Sequence, residues 1–254
     1  MPTAQFFSRA LTIVSLCIAC LSSNGVHAAQ LIEIYAYHNA PPFLVNTDTN
    51  TGLNQDLVHA LQTRVGPDYV LSLRQTSRPD INQRLAKNLP TIVLWTHPSW
   101  FGSKANSYLW AAPLFSDRDV LVSFVSEKRQ PFPLKGSRLG GIAGYSYPGL
   151  NELVNTQQLT RVDADSDKEN LLKLADKHVD VIVITRSSFW YYAKQPQFVG
   201  KFHVVGQPYD TYHRQVLVTS HYQAFLPVLN QALADLEKSP SWQERLALYG
   251  LKAD

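Results

Sequence analysis

The chain has 254 residues, of which 45% are hydrophobic and 17% are charged. This balance is typical of a folded protein of one or two domains, and it excludes a disordered, collagen-like or coiled-coil chain. The 23 Lys and Arg residues against 20 Asp and Glu give a net charge of +3, with the charges scattered along the sequence. A nucleic acid is therefore not an expected partner.

The N-terminus has the three-part layout of a secretory signal. One charge, Arg9, precedes an apolar run over residues 10–21, and Val26-His27-Ala28 places small residues where a signal peptidase cleaves. The run is too short to span a membrane. We predict a signal peptide over residues 1–28, cleaved after Ala28, and a periplasmic mature chain. A core helix, a membrane anchor and a lipoprotein are the alternatives.

Both cysteines of the chain, Cys17 and Cys20, lie in this leader. The predicted mature chain then has no thiol for a disulfide, a metal site or a nucleophile. It is nevertheless long enough to bury a core without such cross-links.

Strand-like and helix-like segments alternate along the rest of the chain. Runs of β-branched and apolar residues predict strands, and apolar residues spaced three or four apart predict helices. In chain order we predict strand 31–35, a helix after Gly52, strand 70–73, a short helix from Pro79, strands 91–95, 120–125 and 138–142, helices 148–154 and 166–177, strand 179–184, a helix around 189–193, strands 204–205 and 215–219, and helices 224–238 and 241–249. The alternation indicates an α/β architecture with mostly parallel sheets.

Several motifs approach a catalytic or metal signature, but none is complete. The stretch from Gly144 to Gly149 misplaces the second glycine of a nucleophile elbow. The acidic stretch from Asp163 has Lys168 where a calcium loop needs glycine, so carboxylates at a helix start are the simpler interpretation. The eight histidines occur singly. We therefore predict a binding protein with no metal, no cofactor and no catalytic residues.

The order of several motifs resembles family 3 bacterial extracellular solute-binding proteins, the periplasmic components of polar amino-acid ABC transporters. Each motif is weak alone, but six occur in register over about residues 31–250. They are Pro41-Pro42-Phe43 followed by Gly52-Leu53-Asn54-Gln55-Asp56-Leu57, Ala112-Pro113-Leu114-Phe115, Leu134-Lys135-Gly136, Ala143-Gly144-Tyr145-Ser146, Val179-Asp180-Val181, and the closing stretch from Trp242 to Gly250.

This resemblance implies a type II periplasmic-binding-protein fold, in which two α/β lobes are joined by two hinge strands. Residues 29–118 and 221–254 would form lobe 1, and residues 122–217 would form lobe 2. The ligand would lie in the cleft, and the lobes would close over it.

The sequence departs from the family pattern at both groups that hold an amino-acid ligand. The stretch 96–104 has no Arg for the α-carboxylate, and Lys104 offers only a point charge. The position expected to carry an Asp for the ammonium group is Thr185, followed by Arg186. We therefore expect a ligand other than a standard free amino acid.

The predicted cleft has aromatic and hydrogen-bonding side chains instead. Aromatic walls suit rings, helix N-termini suit anions, and Arg186 could add a guanidinium fork. Trp95 could equally be core, and Arg186 could equally form a structural ion pair. The candidate ligand-binding residues are His38, Trp95, Thr96, His97 and Trp100 in lobe 1, and Tyr145, Ser146, Tyr147, Thr185 and Arg186 in lobe 2.

These observations predict a monomeric, non-catalytic solute-binding protein that delivers a small polar, partly anionic or aromatic solute to an ABC permease or a membrane sensor. Two alternatives remain. A cyclohexadienyl-dehydratase-like enzyme of the same fold would need a general acid in the cleft. A scaffold that recognises a protein or a cell-wall fragment would explain the missing amino-acid clamps.

Overall fold

The computed structural model describes residues 28–127 and 135–251, without the side chains of residues 207–209. The predicted signal peptide lies outside the described residues except for Ala28, so its cleavage stays a prediction. Among the helices of these two ranges, none has the length and hydropathy that a bilayer crossing requires.

The first sheet is built at the N-terminal end of the chain from parallel strands. β1 pairs in parallel with both β2 and β3, and helices cover both faces of the sheet. These elements are β1 (Gln30–Ala36), α1 (Leu53–Gln62), β2 (Tyr69–Gln75), α2 (Arg78–Ala86) and β3 (Ile92–Thr96), with a 3₁₀ segment (Pro98–Ser107) and the short strand β4 (Leu109–Trp110) after them.

The second sheet follows in the middle of the chain. β6 pairs in parallel with β7 and β8, while β5 runs antiparallel to β8. Its elements are β5 (Phe115–Phe124), β6 (Arg138–Ile142), α3 (Leu150–Asn155), β7 (Thr160–Ala164), α4 (Asp167–Ala175), β8 (Val181–Thr185) and α5 (Arg186–Ala193). Ser166 caps α4 by accepting from the Glu169 amide, as the acidic helix start predicts.

One long strand, β9 (Phe202–Val218), connects the two sheets. Its first part pairs antiparallel with β5, and its last residues pair antiparallel with β3 and β4. Two helices then return to the first sheet, α6 (Leu226–Glu237) and α7 (Pro240–Leu248). The strand order is β2-β1-β3-β9-β5-β8-β6-β7, so β5 and β9 lie at the junction.

Each sheet has its own hydrophobic core. Around the first sheet, Ile34, Leu57 and Leu94 are fully buried together with α6 and α7 residues. Around the second sheet, Val122 and Ile182 are buried on one face, and Leu139 and Val181 are buried on the other. Burial on both faces explains why β3 and β8 read as continuous apolar runs. The lobe boundaries at 29–118, 122–217 and 221–254 stay a prediction.

Several features of the fold differ from the sequence prediction, among them the unpredicted β4 and the start of β5 at Phe115 instead of residue 120. β9 is one strand rather than two short ones, and its polar residues 210–214 are extended because they pair with β5. β7 was not predicted, since Thr160, Arg161 and Asp163 interrupt any apolar run. Helix α3 starts at Leu150 instead of residue 148, because Gly149 turns the chain with a positive φ of 86°.

Helix α1 begins against the turn at residues 41–43 without a side-chain cap. The Leu53 and Asn54 amides donate to the carbonyls of Pro42 and Phe43, at 2.8 and 3.0 Å. Gly52 permits this approach, because its φ is 143° and a Cβ there would lie 2.5 Å from the Phe43 oxygen.

Gly52→Ala is expected to lower the free energy of unfolding by about 2–4 kcal/mol, since it combines a strained backbone with a backbone clash. Gly66→Ala is the matched control, because Gly66 has a φ of 81° but open space around it. That control should cost about 1 kcal/mol. Urea unfolding measures both, and equal losses would contradict the close approach.

Candidate functional site

A buried ion pair joins β5 and β9 where these two antiparallel strands run from one sheet to the other. The Arg214 Nε donates to the Asp117 carboxylate at 2.7 Å, and the two side chains are 1% and 0% exposed. Asp117 also accepts from the amide and hydroxyl of Ser187, at 3.2 and 2.7 Å. The pair therefore ties β9, β5 and the start of α5 together, with the carboxylate at the positive end of that helix.

The other side of the Arg214 guanidinium faces the first sheet. Its Nη1 donates to the Trp95 carbonyl at 3.1 Å, and the His38 Nε2 lies 3.1 Å from that same oxygen. Trp95 adopts a positive φ of 60° at the irregular end of β3, the conformation in which its carbonyl meets Arg214. Burial, together with the nearby Arg214 charge, lowers the pKa of His38 well below 6.5, so its ring is neutral at pH 7.

Aromatic rings surround this pair. The Arg214 guanidinium carbon lies 4.5 Å from the Phe43 ring centroid, 5.3 Å from that of Tyr212 and 5.8 Å from that of Trp100. Trp100 packs edge-on to Tyr212 at 5.0 Å, and His97 lies about 6 Å from both rings. Each of these arrangements is a favourable cation–π or aromatic geometry.

Two carboxylates border this cluster on the side of the second sheet. Burial raises the pKa of Asp119 to about 6, although its carboxylate accepts from the Tyr212 hydroxyl at 3.0 Å. Burial likewise raises the pKa of Asp167, at the start of α4, to about 6, and the Asp119 charge adds to the shift. Both groups thus ionise near neutral pH at a cost in free energy.

A direct contact joins the two halves of the site. The Ser188 hydroxyl of α5 donates to the Pro41 carbonyl at 2.7 Å. The same hydroxyl lies beside the Asp167 carboxylate and lowers its pKa against the effect of burial. Asp167 is therefore close to the boundary with the turn at residues 41–43.

The structure brings three of the five first-lobe candidates together: His38, His97 and Trp100 share the aromatic cluster and are partly accessible. The Trp95 and Thr96 side chains differ from the prediction, because both are 0% exposed. Trp95 donates through its indole to the Asn54 side chain at 2.7 Å. Thr96 donates to the Gln215 carbonyl at 3.2 Å. Their side chains are structural, and Trp95 contributes to the site through its carbonyl.

Among the second-lobe candidates, Tyr145 and Ser146 are exposed, whereas Tyr147 is buried and accepts from the Ile142 amide. Thr185 caps α5 by accepting from the Ser188 amide. Arg186 donates to the Ser116 carbonyl on β5. Tyr147, Thr185 and Arg186 are thus engaged within the fold.

Sequence reasoning missed the residues at the centre of the site. Arg214 directly precedes the predicted apolar strand 215–219. Asp117 and Asp119 stand at alternate positions just before the predicted apolar strand 120–125. Charges at alternate positions of buried strands were the available signal, because such side chains share one face and need partners.

The described residues hold no group of three or more His, Cys, Asp or Glu arranged to bind a metal. A separate cavity of about 270 Å³ lies by Leu85, Lys104 and Tyr108 and shares no residue with the aromatic cluster.

Arg214→Met is expected to destabilise the protein by about 3–5 kcal/mol, because it leaves the Asp117 charge buried and unpaired. Arg74→Met removes an exposed pair of similar geometry, Arg74–Glu33 at 2.9 Å, and should cost about 1 kcal/mol or less. Chemical denaturation measures both variants. Comparable losses of unfolding free energy in the two variants would show that the buried pair matters no more to stability than the exposed one.

Asp119→Asn is expected to stabilise the ligand-free protein at neutral pH. A carboxyl whose pKa is raised on folding binds its proton more tightly in the folded state, so stability falls as pH rises from about 4 through 6. Removing that charge should raise the free energy of unfolding by about 1–2 kcal/mol at pH 7 and leave it almost unchanged near pH 4. The difference in unfolding free energy between variant and wild type, measured against pH, tests this. A difference that is independent of pH would contradict the raised pKa.

No protein-family model matches the chain, and no curated protein matches it significantly. Solved structures do match. The GluR0 ligand-binding core from Nostoc punctiforme in complex with L-glutamate is 17% identical, with a TM-score of 0.62 over 84% of this chain and 95% of that one. The second substrate-binding domain of a putative amino acid ABC transporter from Streptococcus pneumoniae is 14% identical, with a TM-score of 0.65 over 87% and 100%.

The Bordetella pertussis BvgS VFT2 domain is 18% identical, with a TM-score of 0.60 over 86% of this chain and 91% of that domain. Likeness at these identities establishes the fold. The chain therefore has the two-lobed, mixed α/β fold of type II periplasmic binding proteins, as the resemblance of its motifs predicted.

Proposed function

We propose that this protein is a periplasmic solute-binding protein that captures a small polar solute between its two lobes and delivers it to a membrane ABC transporter or sensor. The observation that supports this most is the cluster at the crossing of β5 and β9, where accessible aromatic rings and carboxylates meet. The structurally similar proteins include a substrate-binding domain of an amino acid ABC transporter and a glutamate complex.

The two strands β5 and β9 are the proposed hinge, with residues 29–118 and 221–254 on one side and 122–217 on the other. The ligand would contact His97 and Trp100 from lobe 1 and Tyr145 from lobe 2. A ligand that contacts both lobes stabilises their closed arrangement, because only differential contact shifts a conformational equilibrium.

The proposed solute is not a standard free amino acid. An α-carboxylate needs a free cationic fork, whereas each of three guanidinium groups near the cluster already donates to a group of the protein, with only the buried Nε of Arg186 left without a hydrogen-bond partner among the described residues. Arg214 is paired with Asp117, and Arg186 donates to the Ser116 carbonyl. Arg78 donates to the Tyr37 hydroxyl and the Trp100 carbonyl, at 3.0 and 2.8 Å.

One observation favours a second candidate, a dehydratase-like enzyme on the same fold. Asp119 has a pKa of about 6 and is partly accessible, which suits a general acid. A cyclohexadienyl acid also carries carboxylates, however, and these would lie beside the carboxylates of Asp119 and Asp167. Conversion of such an acid by the purified protein, lost in Asp119→Asn, would support the enzyme over the binding protein.

A thermal-shift screen of mature protein against amino acids, amines, organic acids, sugars and peptides tests the proposed role. A binding solute at about 100 times its Kd should add about 2.7 kcal/mol to the unfolding free energy. Small-angle scattering with that solute should show a more compact particle, because the lobes close. A protein that no small solute stabilises would instead support the scaffold alternative.

Trp100→Ala should abolish that shift while the protein stays folded, since Trp100 is a partly accessible ring of the cluster. Trp190→Ala is the matched control, because Trp190 is 44% exposed on α5 and has no contact with the cluster. Loss of the shift in both variants would indicate general destabilisation and contradict a site at Trp100.

A further inference from the structure

We propose that the solute is a cationic amine or guanidine that lacks a carboxylate group, with its positive charge met by Asp119 and Asp167 and its body packed against the aromatic rings of Trp100 and Tyr145. This inference rests on the proposed solute-binding function and specifies the class of solute.

The first observation is the charge balance of the site. Asp117 is fully compensated, because Arg214 and two Ser187 donors bind it. Among the described residues, no Lys or Arg side chain forms an ion pair with Asp119 or Asp167. Asp210 lies directly opposite Asp119 across the strands and adds a further negative charge. The site thus carries excess negative charge that a bound cation would compensate.

The second observation is that Asp119 adjoins the aromatic cluster. It lies two residues from Asp117 and therefore on the same face of β5. Its carboxylate accepts from the Tyr212 hydroxyl at 3.0 Å, and the Tyr212 ring contacts Trp100 at 5.0 Å between centroids. Tyr212 thus links the carboxylate directly to a partly accessible tryptophan.

The third observation places Asp167 at the opposite wall. Asp167 begins α4 beside Ser188, and the Ser188 hydroxyl reaches the Pro41 carbonyl of the first lobe at 2.7 Å. The Tyr145 ring, which is 61% exposed, completes this wall. A solute held by both carboxylates and packed against the Trp100 ring of the first lobe would therefore contact both lobes, as closure requires.

The aromatic cluster is already built to hold one cation. The Arg214 guanidinium lies over Phe43 and within 6 Å of the Trp100 and Tyr212 rings. Aromatic faces attract ammonium and guanidinium groups and repel carboxylates by the same quadrupole. An amine with a carboxylate would lose part of this attraction, because its carboxylate would meet the negative charges of Asp119 and Asp167 while Arg214 is already paired with Asp117.

The pKa values of Asp119 and Asp167 bear on how cation binding would depend on pH. Both are raised to about 6 by burial. The groups that face them are Asp117 on β5, Tyr212, Arg214 and Asp210 on β9, Ser188 on α5, and Tyr145 and Tyr147 before α3. A bound cation would favour the ionised carboxylates, so affinity should rise with pH through about 6.

Calorimetric titration with agmatine, which carries an amine and a guanidine but no carboxylate, tests this proposal against arginine as the matched ligand. Agmatine should bind at about pH 7.5, with a Kd about tenfold or more below that of arginine. Its affinity should fall about tenfold or more at pH 5, where both carboxyls are protonated. Tighter binding of arginine than of agmatine, or affinity that is independent of pH, would overturn the proposal.

Asp119→Asn and Asp167→Asn should each weaken agmatine binding about tenfold or more, because each removes one charge that the cation meets. Asp165→Asn is the matched control, since Asp165 is an exposed carboxylate two residues before Asp167. The Asp165→Asn variant should bind agmatine with the affinity of the wild type. Unchanged binding in the Asp119 and Asp167 variants would overturn the assignment of these residues.

The thermal-shift screen separates failure of this inference from failure of the solute-binding function. If organic acids or sugars stabilise the protein and agmatine, putrescine and other amines do not, the binding function stands and the cationic assignment is wrong. If no solute of any class stabilises it, the binding function itself fails.

Discussion

The buried Arg214–Asp117 ion pair is the interaction on which the rest of the site depends. A charge inside a protein must be compensated nearby, and here the compensation comes from three separate elements. Asp117 on β5 holds Arg214 on β9 and the first turn of α5, while Arg214 holds the Trp95 carbonyl at the end of β3. This one ion pair thus connects the two sheets at the point where β5 and β9 run side by side from one sheet to the other.

The same pair determines the electrostatics of the space around it. Because Arg214 is paired with Asp117, its charge is not free to bind a ligand, although it also lowers the pKa of Asp119 against the effect of burial. The rings of Phe43, Trp100 and Tyr212 cover the guanidinium and exclude water from it. The Arg214 charge is thus internal to the protein, and Asp119 and Asp167 border it on the side of the second sheet.

Most of the fold could be predicted from local sequence patterns. The apolar runs at β1, β3, β6 and β8 and the spaced leucines of α1 and α4 correspond to elements of the structure, since burial selects those periodicities directly. β7 and the middle of β9 could not be predicted, because polar residues occupy them and only pairing with neighbouring strands keeps them extended. Of the residues in the aromatic cluster and its ion pair, the sequence analysis named His97 and Trp100 as candidates, and it did not name Asp117, Tyr212 or Arg214.

The amino-acid sequence alone establishes the alternation of strands and helices, the α/β class, and the lack of an Arg in residues 96–104 and of an Asp at position 185. Each of these follows from residue type and order alone. The three-dimensional arrangement settles which charges meet: Arg186 donates to a backbone carbonyl, Arg214 pairs with a residue 97 positions away, and no Lys or Arg of the described residues forms an ion pair with Asp119 or Asp167. A buried charge takes its partner from whichever strand lies beside it, and sequence distance does not encode that neighbour.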